Sequence, residues 1–162
     1  MKKELITTTF YKSHFDQLEE LEKKMVNLAI QSMESAYAPY SGFLVGSSIL
    51  LENDEIIYAN NQENVAYPSG LCAERVAIYY AGSRFPGVKI NKIVVTARSD
   101  RFNIEGTISP CGSCRQTISE YEVKQDSNIK ILLHQTDNSI LIFDSIADLL
   151  PMMFISEGLK RF

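Results

Sequence analysis

Ile93-Val94-Val95-Thr96-Ala97, a polar stretch over 98–107, and then Ser109-Pro110-Cys111-Gly112-Ser113-Cys114 decide how this chain folds. A short, nearly unbroken apolar run marks a strand covered on both faces. Ser109 followed by Pro110 predicts a helix start, with a side-chain oxygen at the cap and a ring that needs no N–H in the first turn. A doubly covered strand leading into a helix is an α/β arrangement. Working outward toward the C-terminus, this helix is expected to end near Glu122, with strands over 129–134 and 139–143 turned by Asp137-Asn138. Asp144 is the expected cap of a last short helix over 145–150, stopped by Pro151.

Toward the N-terminus, a helix is expected from Cys72 to Gly82, with Ala73, Val76, Ala77 and Tyr80 on one side. Strands over 43–51 and 55–60 are joined by the turn signal Asn53-Asp54. The region 15–36 carries Leu18, Leu21, Met25, Leu28 and Ala29 at helical spacing, opposite Glu19, Glu20, Glu22, Lys23 and Lys24, and Pro39 ends it. Residues 4–11 read as a short strand or arm. The sum is a three-layer α/β/α domain over residues 1–162, with a five-stranded mixed sheet between helices.

The chain has three cysteines, Cys72, Cys111 and Cys114. An odd number cannot all pair internally, and a C-x-x-C in a reducing compartment is either redox-active or metal-binding. Cys111 and Cys114 lie three apart at a helix start and Cys72 opens another helix, so each gains from the unpaired N–H groups and partial positive charge that favour a thiolate. Three thiolates about 2.3 Å from a zinc ion leave a fourth tetrahedral position for water, the mark of a catalytic site rather than a structural one. Three thiolates and one divalent ion sum to about −1, which weakens the acidification of that water. Arg75 is placed to donate hydrogen bonds to the sulfurs and offset this charge. Glu74 is the carboxylate free for proton transfer. Two residues apart on an ideal helix, Cys72 and Glu74 point away from each other, so Cys72 must sit in the cap for the two to converge.

Three segments resemble a known family when taken together. Cys72-Ala73-Glu74-Arg75 with Pro110-Cys111-Gly112-Ser113-Cys114-Arg115-Gln116 is similar to the three-cysteine signature of the zinc nucleoside and nucleobase deaminases. With Pro39-Tyr40-Ser41-Gly42-Phe43-Leu44-Val45-Gly46 and Asn61-Gln62-Glu63-Asn64 added, the chain resembles the small homotetrameric cytidine deaminases, in register from the first helix to about Phe154. The resemblance implies one zinc per subunit, held by Cys72, Cys111 and Cys114. It implies hydrolysis of cytidine and deoxycytidine to uridine and deoxyuridine in pyrimidine salvage: water attacks C4, Glu74 protonates N3 and ammonia leaves. It makes Asn61 and Glu63 the pair that grips the ribose on its 3′-hydroxyl side, and Phe43 the aromatic wall of the nucleoside pocket. Ala73 is carried over as a substrate contact. Phe154, in Leu149-Leu150-Pro151-Met152-Met153-Phe154, is carried over as the ring that closes a neighbouring subunit's pocket, although Met152-Met153 departs from the family's Gly-Ala.

Other readings of the same residues are a closed structural zinc site completed by His134 or His14, a redox C-x-x-C, and a deaminase for a modified cytosine nucleoside of the blasticidin S type. The closed site leaves Glu74 without a task, the redox motif leaves Cys72 unexplained, and the blasticidin type lacks the Asn-x-Glu pair. The formal net charge of −4 argues against a nucleic-acid-coating surface and for a small soluble substrate. Met1-Lys2-Lys3-Glu4 leads into Thr7-Thr8-Thr9 rather than an apolar segment, and no run is long enough to span a bilayer, so a cytoplasmic protein is expected.

Overall fold

The computed structural model describes residues 1–159. Its strands are β1 (Tyr11–His14), β2 (Phe43–Leu51), β3 (Ile56–Asn60), β4 (Ile90–Ser99), β5 (Lys130–His134) and β6 (Ser139–Phe143). Its helices are α1 (Glu20–Met33), α2 (Ala73–Arg84) and α3 (Gly112–Gln125). Among the described residues the sheet has six strands in the order β1-β6-β5-β4-β2-β3, not the expected five. The β4–β5 pair is parallel and the other neighbours are antiparallel, so the sheet is mixed.

The sixth strand is β1, which pairs with β6 from Tyr11↔Ile142 to His14↔Ser139. The expected segment 4–11 is displaced to 11–14, and residues 1–10 form no strand. Tyr-Lys-Ser-His shows no apolar alternation because an edge strand with mostly exposed side chains has no face to bury.

Alternation on the central strands makes the layers. Ile49, Ile93, Val95, Ile131 and Leu133 pack with Ala77, Ile78 and Ala81 of α2 and Ile118 of α3. Leu50, Val94 and Leu132 point the other way and pack with Met25, Val26 and Ala29 of α1. Strands covered on both faces read as apolar runs, which is why β4 and β5 are plain in the sequence.

Several expected boundaries and faces are corrected. The helix over 15–36 is divided into a 3-10 turn at Phe15–Gln17 and α1, because Leu18 adopts an extended backbone at ψ 154°. On α1, Leu21 is 40 % exposed and Glu22 is buried. The inward stripe runs through Glu22, Met25, Val26, Ala29 and Met33 instead. Glu22 tolerates that position because Lys92 of β4 pairs with it at 2.6 Å. Tyr80, expected on the inner side of α2, is 55 % exposed; the buried face is Ala73, Glu74, Ala77, Ile78 and Ala81. α3 begins two residues later than expected, with Cys111 as its cap. Ser109 does not cap it, since its hydroxyl accepts from Arg115 at 2.9 Å, and Pro110 supplies a carbonyl to the same guanidinium at 2.8 Å. The last helix contracts to a 3-10 turn, Ile146–Asp148, capped by Ser145 rather than Asp144. No helix among the described residues is long and apolar enough to cross a membrane.

Candidate active site

Two helix N-termini meet at one end of the sheet. Cys72 is the cap residue of α2 and Cys111 that of α3, both in extended backbone conformation. Cys114 lies in the first turn of α3, fully buried. The three Sγ atoms lie within 4.8 Å of one another, with Cys72–Cys111 at 3.8 Å and Cys111–Cys114 at 3.5 Å. Ligands 2.3 Å from a tetrahedral zinc are separated by about 3.8 Å, so these sulfurs fit one face of such a site. The cluster is the one group of three metal-ligating side chains among the described residues.

The sulfurs do not share protons equally. The thiol of Cys114 donates to Cys72, and with the Arg75 guanidinium nearby this brings Cys72 down to about 5 despite its burial. The same interaction with Cys72, with burial, pushes Cys114 far up. Arg75 reaches Cys72 Sγ at 4.0 Å and the Gly70 carbonyl at 3.4 Å. A cation there offsets the charge of the thiolates.

Glu74 is 3 % exposed, and its Oε2 has no hydrogen-bond partner. Burial, reinforced by the charge of Cys72, raises its carboxyl to about 7, against the opposing pull of its own N–H and Arg75. Cys72 in the cap resolves the spacing problem: Glu74 is the second residue of the regular helix and shares a cavity wall with Cys72. A buried carboxylate oxygen left without a partner beside three sulfurs is costly unless something binds there.

A cavity of about 700 Å³ opens over these groups. Phe43, Asn61, Glu63, Cys72, Glu74 and Cys111 line it. Asn61 is held in place: its Oδ1 accepts from Val45 N at 2.8 Å and its Nδ2 donates to Phe43 O at 2.9 Å. The side chain thereby continues the β2 ladder beyond the end of β3, with one amide hydrogen left over. Glu63 accepts from Ser41 Oγ at 2.5 Å and from the backbone N–H groups of Tyr40 and Ser41 at 2.9 and 3.3 Å. Burial works to raise its pKa, but those hydrogen bonds and the Arg101 charge outweigh it and hold the carboxyl below its ordinary value.

Ala73 and Phe154 are not among the residues that line this subunit's cavity, and Phe154 is expected at a neighbour's. Ala73 is fully buried in the first turn of α2 and does not line the cavity. Phe154 is 68 % exposed, and its backbone is gripped by the Gln116 amide, which donates to its carbonyl at 2.8 Å and accepts its N–H at 3.2 Å. His134 is no zinc ligand. It lies on the α1 side of the sheet beside Phe15, with Nδ1 3.0 Å from Thr96 Oγ1 and Nε2 3.1 Å from Asn138 Oδ1. Sequence reading missed Ile104 and Thr107 in the cavity wall and Tyr40 and Tyr67 near its mouth. These come from loops, where no periodicity signals a shared surface.

Comparison with known proteins agrees with this arrangement. The family model for the cytidine and deoxycytidylate deaminase zinc-binding region matches residues 19–127. A cytidine deaminase of Sporosarcina psychrophila is 35% identical over 138 residues, covering 85% of this chain and 94% of that protein. One of Halalkalibacterium halodurans is 32% identical over 138 residues, covering 84% and 96%. The crystal structure of cytidine deaminase from Burkholderia pseudomallei superposes with a TM-score of 0.68 at 31% identity, over 82% of this chain and 98% of that one.

Proposed function

Because the chain belongs to the family of zinc-binding cytidine and deoxycytidylate deaminases, we propose that it is an enzyme converting cytidine and deoxycytidine to uridine and deoxyuridine by hydrolysis. The observation that carries this is Glu74: a buried carboxylate with an unpartnered oxygen, at the wall of a nucleoside-sized cavity and next to three sulfurs. Cys72, Cys111 and Cys114 would hold the zinc. Bound there, zinc supplies a water acidified toward neutral pH.

Glu74 then does the proton work. It accepts a proton from the attacking water and passes it to N3 of the cytosine as oxygen joins C4. Glu74 next takes the proton of the new C4 hydroxyl and gives it to the exocyclic amine, so the C4–N bond breaks, ammonia leaves and C4 becomes a carbonyl. Burial works to raise the Glu74 carboxyl above the ordinary carboxylate range, which favours its accepting a proton. Arg75 offsets the thiolate charge. Phe43 flanks the base, and Glu63 with the remaining Asn61 amide hydrogen receives the sugar hydroxyls.

The subunit is one deaminase-like domain over residues 1–162, cytoplasmic and serving pyrimidine salvage. It assembles as a homotetramer. The exposed rings of Tyr58 on β3 and of Tyr79 and Tyr80 on α2 support this, being apolar area that a lone subunit leaves in water. Phe154, exposed and outside the lining of its own cavity, suits a neighbour's. Sedimentation of the pure protein at the mass of four chains is expected, and a monomer at micromolar concentration overturns the assembly.

The reaction is tested by a panel of cytidine, 2′-deoxycytidine and cytosine, with ammonia measured beside the pyrimidine product. Both nucleosides should release one ammonia per ring converted, and the free base should react far more slowly. Equal rates on all three would remove the sugar contacts from the account.

A further inference from the structure

The segment Pro39–Gly42, just before the pocket wall residue Phe43, is gripped from two sides. Glu63 takes its N–H groups at Tyr40 and Ser41 and the Ser41 hydroxyl. Arg101, on the loop after β4, takes its carbonyls, donating to Tyr40 O at 2.5 Å and Pro39 O at 2.8 Å. The backbone joins the same two loops, with Asp100 N donating to Gly42 O at 3.0 Å.

Gly42 makes the clamp sterically feasible. A Cβ at this position would lie 2.7 Å from Arg101 Cγ and 2.8 Å from its Cδ and Nε. Its φ of +66° is also one that side-chain-bearing residues rarely adopt. The stem of Arg101 therefore lies across the glycine and the fork beyond it reaches two successive carbonyls. A planar guanidinium spans such a pair, whereas an ammonium does not.

The consequence falls on Glu63. Three of its hydrogen-bond donors come from Tyr40 and Ser41, so the orientation of its carboxylate is set by where that turn is held. We propose that Arg101 is a positioning residue for the sugar: it fixes the Pro39–Gly42 turn so that Glu63 presents its carboxylate to the ribose 3′-hydroxyl. Arg101 is not among the residues that line the cavity, and it acts through the turn. The proposal rests on the nucleoside chemistry assigned to the cavity above.

The test compares cytidine with 3′-deoxycytidine for the zinc-loaded wild type, Arg101→Ala and Arg101→Lys. Losing a hydrogen bond to a charged group is worth about tenfold or more. Arg101→Ala should raise KM for cytidine about tenfold, with kcat within about threefold. KM for 3′-deoxycytidine, which has no hydroxyl for Glu63, should move less than about threefold. Arg101→Lys should lie between, and it carries the comparison if the alanine variant does not fold. An equal loss on both nucleosides, or an unchanged KM for cytidine, overturns the proposal. A wild type that holds zinc and deaminates neither nucleoside overturns the function on which it rests, a different result from either of those.

Discussion

At the scale of single residues, several side chains in this site do two things at once, which makes their variants informative. Asn61 is expected to touch substrate, yet it also pairs with Phe43 O and Val45 N in a part-buried position. Asn61→Ala therefore removes a structural pair as well as a ligand contact. Leaving a buried donor and acceptor unmade costs about 1–3 kcal/mol. The variant should be less stable than the wild type by that amount, read as a lower urea midpoint, and should also bind cytidine more weakly. An unchanged midpoint in a urea titration would show that the ladder contacts contribute nothing. The clustering of Cys72, Cys111 and Cys114 beside Glu74 was legible because metal chemistry fixes residue types and spacing. Arg101 was not: an arginine in a polar loop has no pattern until the fold brings Pro39 and Tyr40 beneath it. Ala73 was carried over by resemblance, and the fold buries it in the first turn of α2, outside the cavity lining.

At the scale of elements, contacts between secondary structures set two further expectations. Gly46 of β2 passes so close to α1 that a Cβ would stand 1.9 Å from the Ala29 carbonyl oxygen, itself held by Ser32 Oγ at 2.8 Å. Backbone on both sides leaves no flexible group to yield, so Gly46→Ala should destabilise by about 1–3 kcal/mol or more. A thermal melt matching the wild type would contradict this packing.

His134 links β5 to β4 and to the following turn as a neutral ring, Nε2–H donating to Asn138 and Nδ1 accepting from Thr96. Burial, more than its polar neighbours can offset, holds its pKa below the ordinary 6.5. A depressed folded-state value means stability present above 6.5 and lost as pH falls through the folded value. His134→Gln, which can keep both hydrogen bonds without titrating, should flatten that part of the stability profile. Identical pH dependence in the two proteins would rule the ring out as its source. The interior strands were readable because both their faces are covered. β1 was not, because an edge strand of polar residues is defined by its partner β6 rather than by its own pattern. Of the expected helical stripe, Leu18, Met25 and Ala29 are buried, but on α1 Glu22 takes the inward place expected of Leu21 because it pairs with Lys92, seventy residues away in sequence, and no local window contains that pairing.

At the scale of the whole molecule, the fold gathers three distant stretches of chain. The caps of α2 and α3 converge at one end of the sheet, and the segment after β3 brings Asn61 and Glu63 to the same cavity. That convergence is what the separation of the motifs along the chain implied, and a mixed sheet with helices on both faces supplies it. The closed zinc site is excluded at this scale, since the sheet itself stands between His134 and the sulfurs. The proposed chemistry turns on one buried carboxylate, Glu74. The most direct measurement is the ultraviolet change of cytidine mixed with zinc-loaded wild type, run beside Glu74→Gln whose zinc content has been verified. Wild-type conversion to uridine, with the variant slower by about 10²–10⁴-fold while still holding zinc, is the predicted result. A variant as fast as the wild type, or a wild type with zinc bound that leaves cytidine unchanged, would contradict the account.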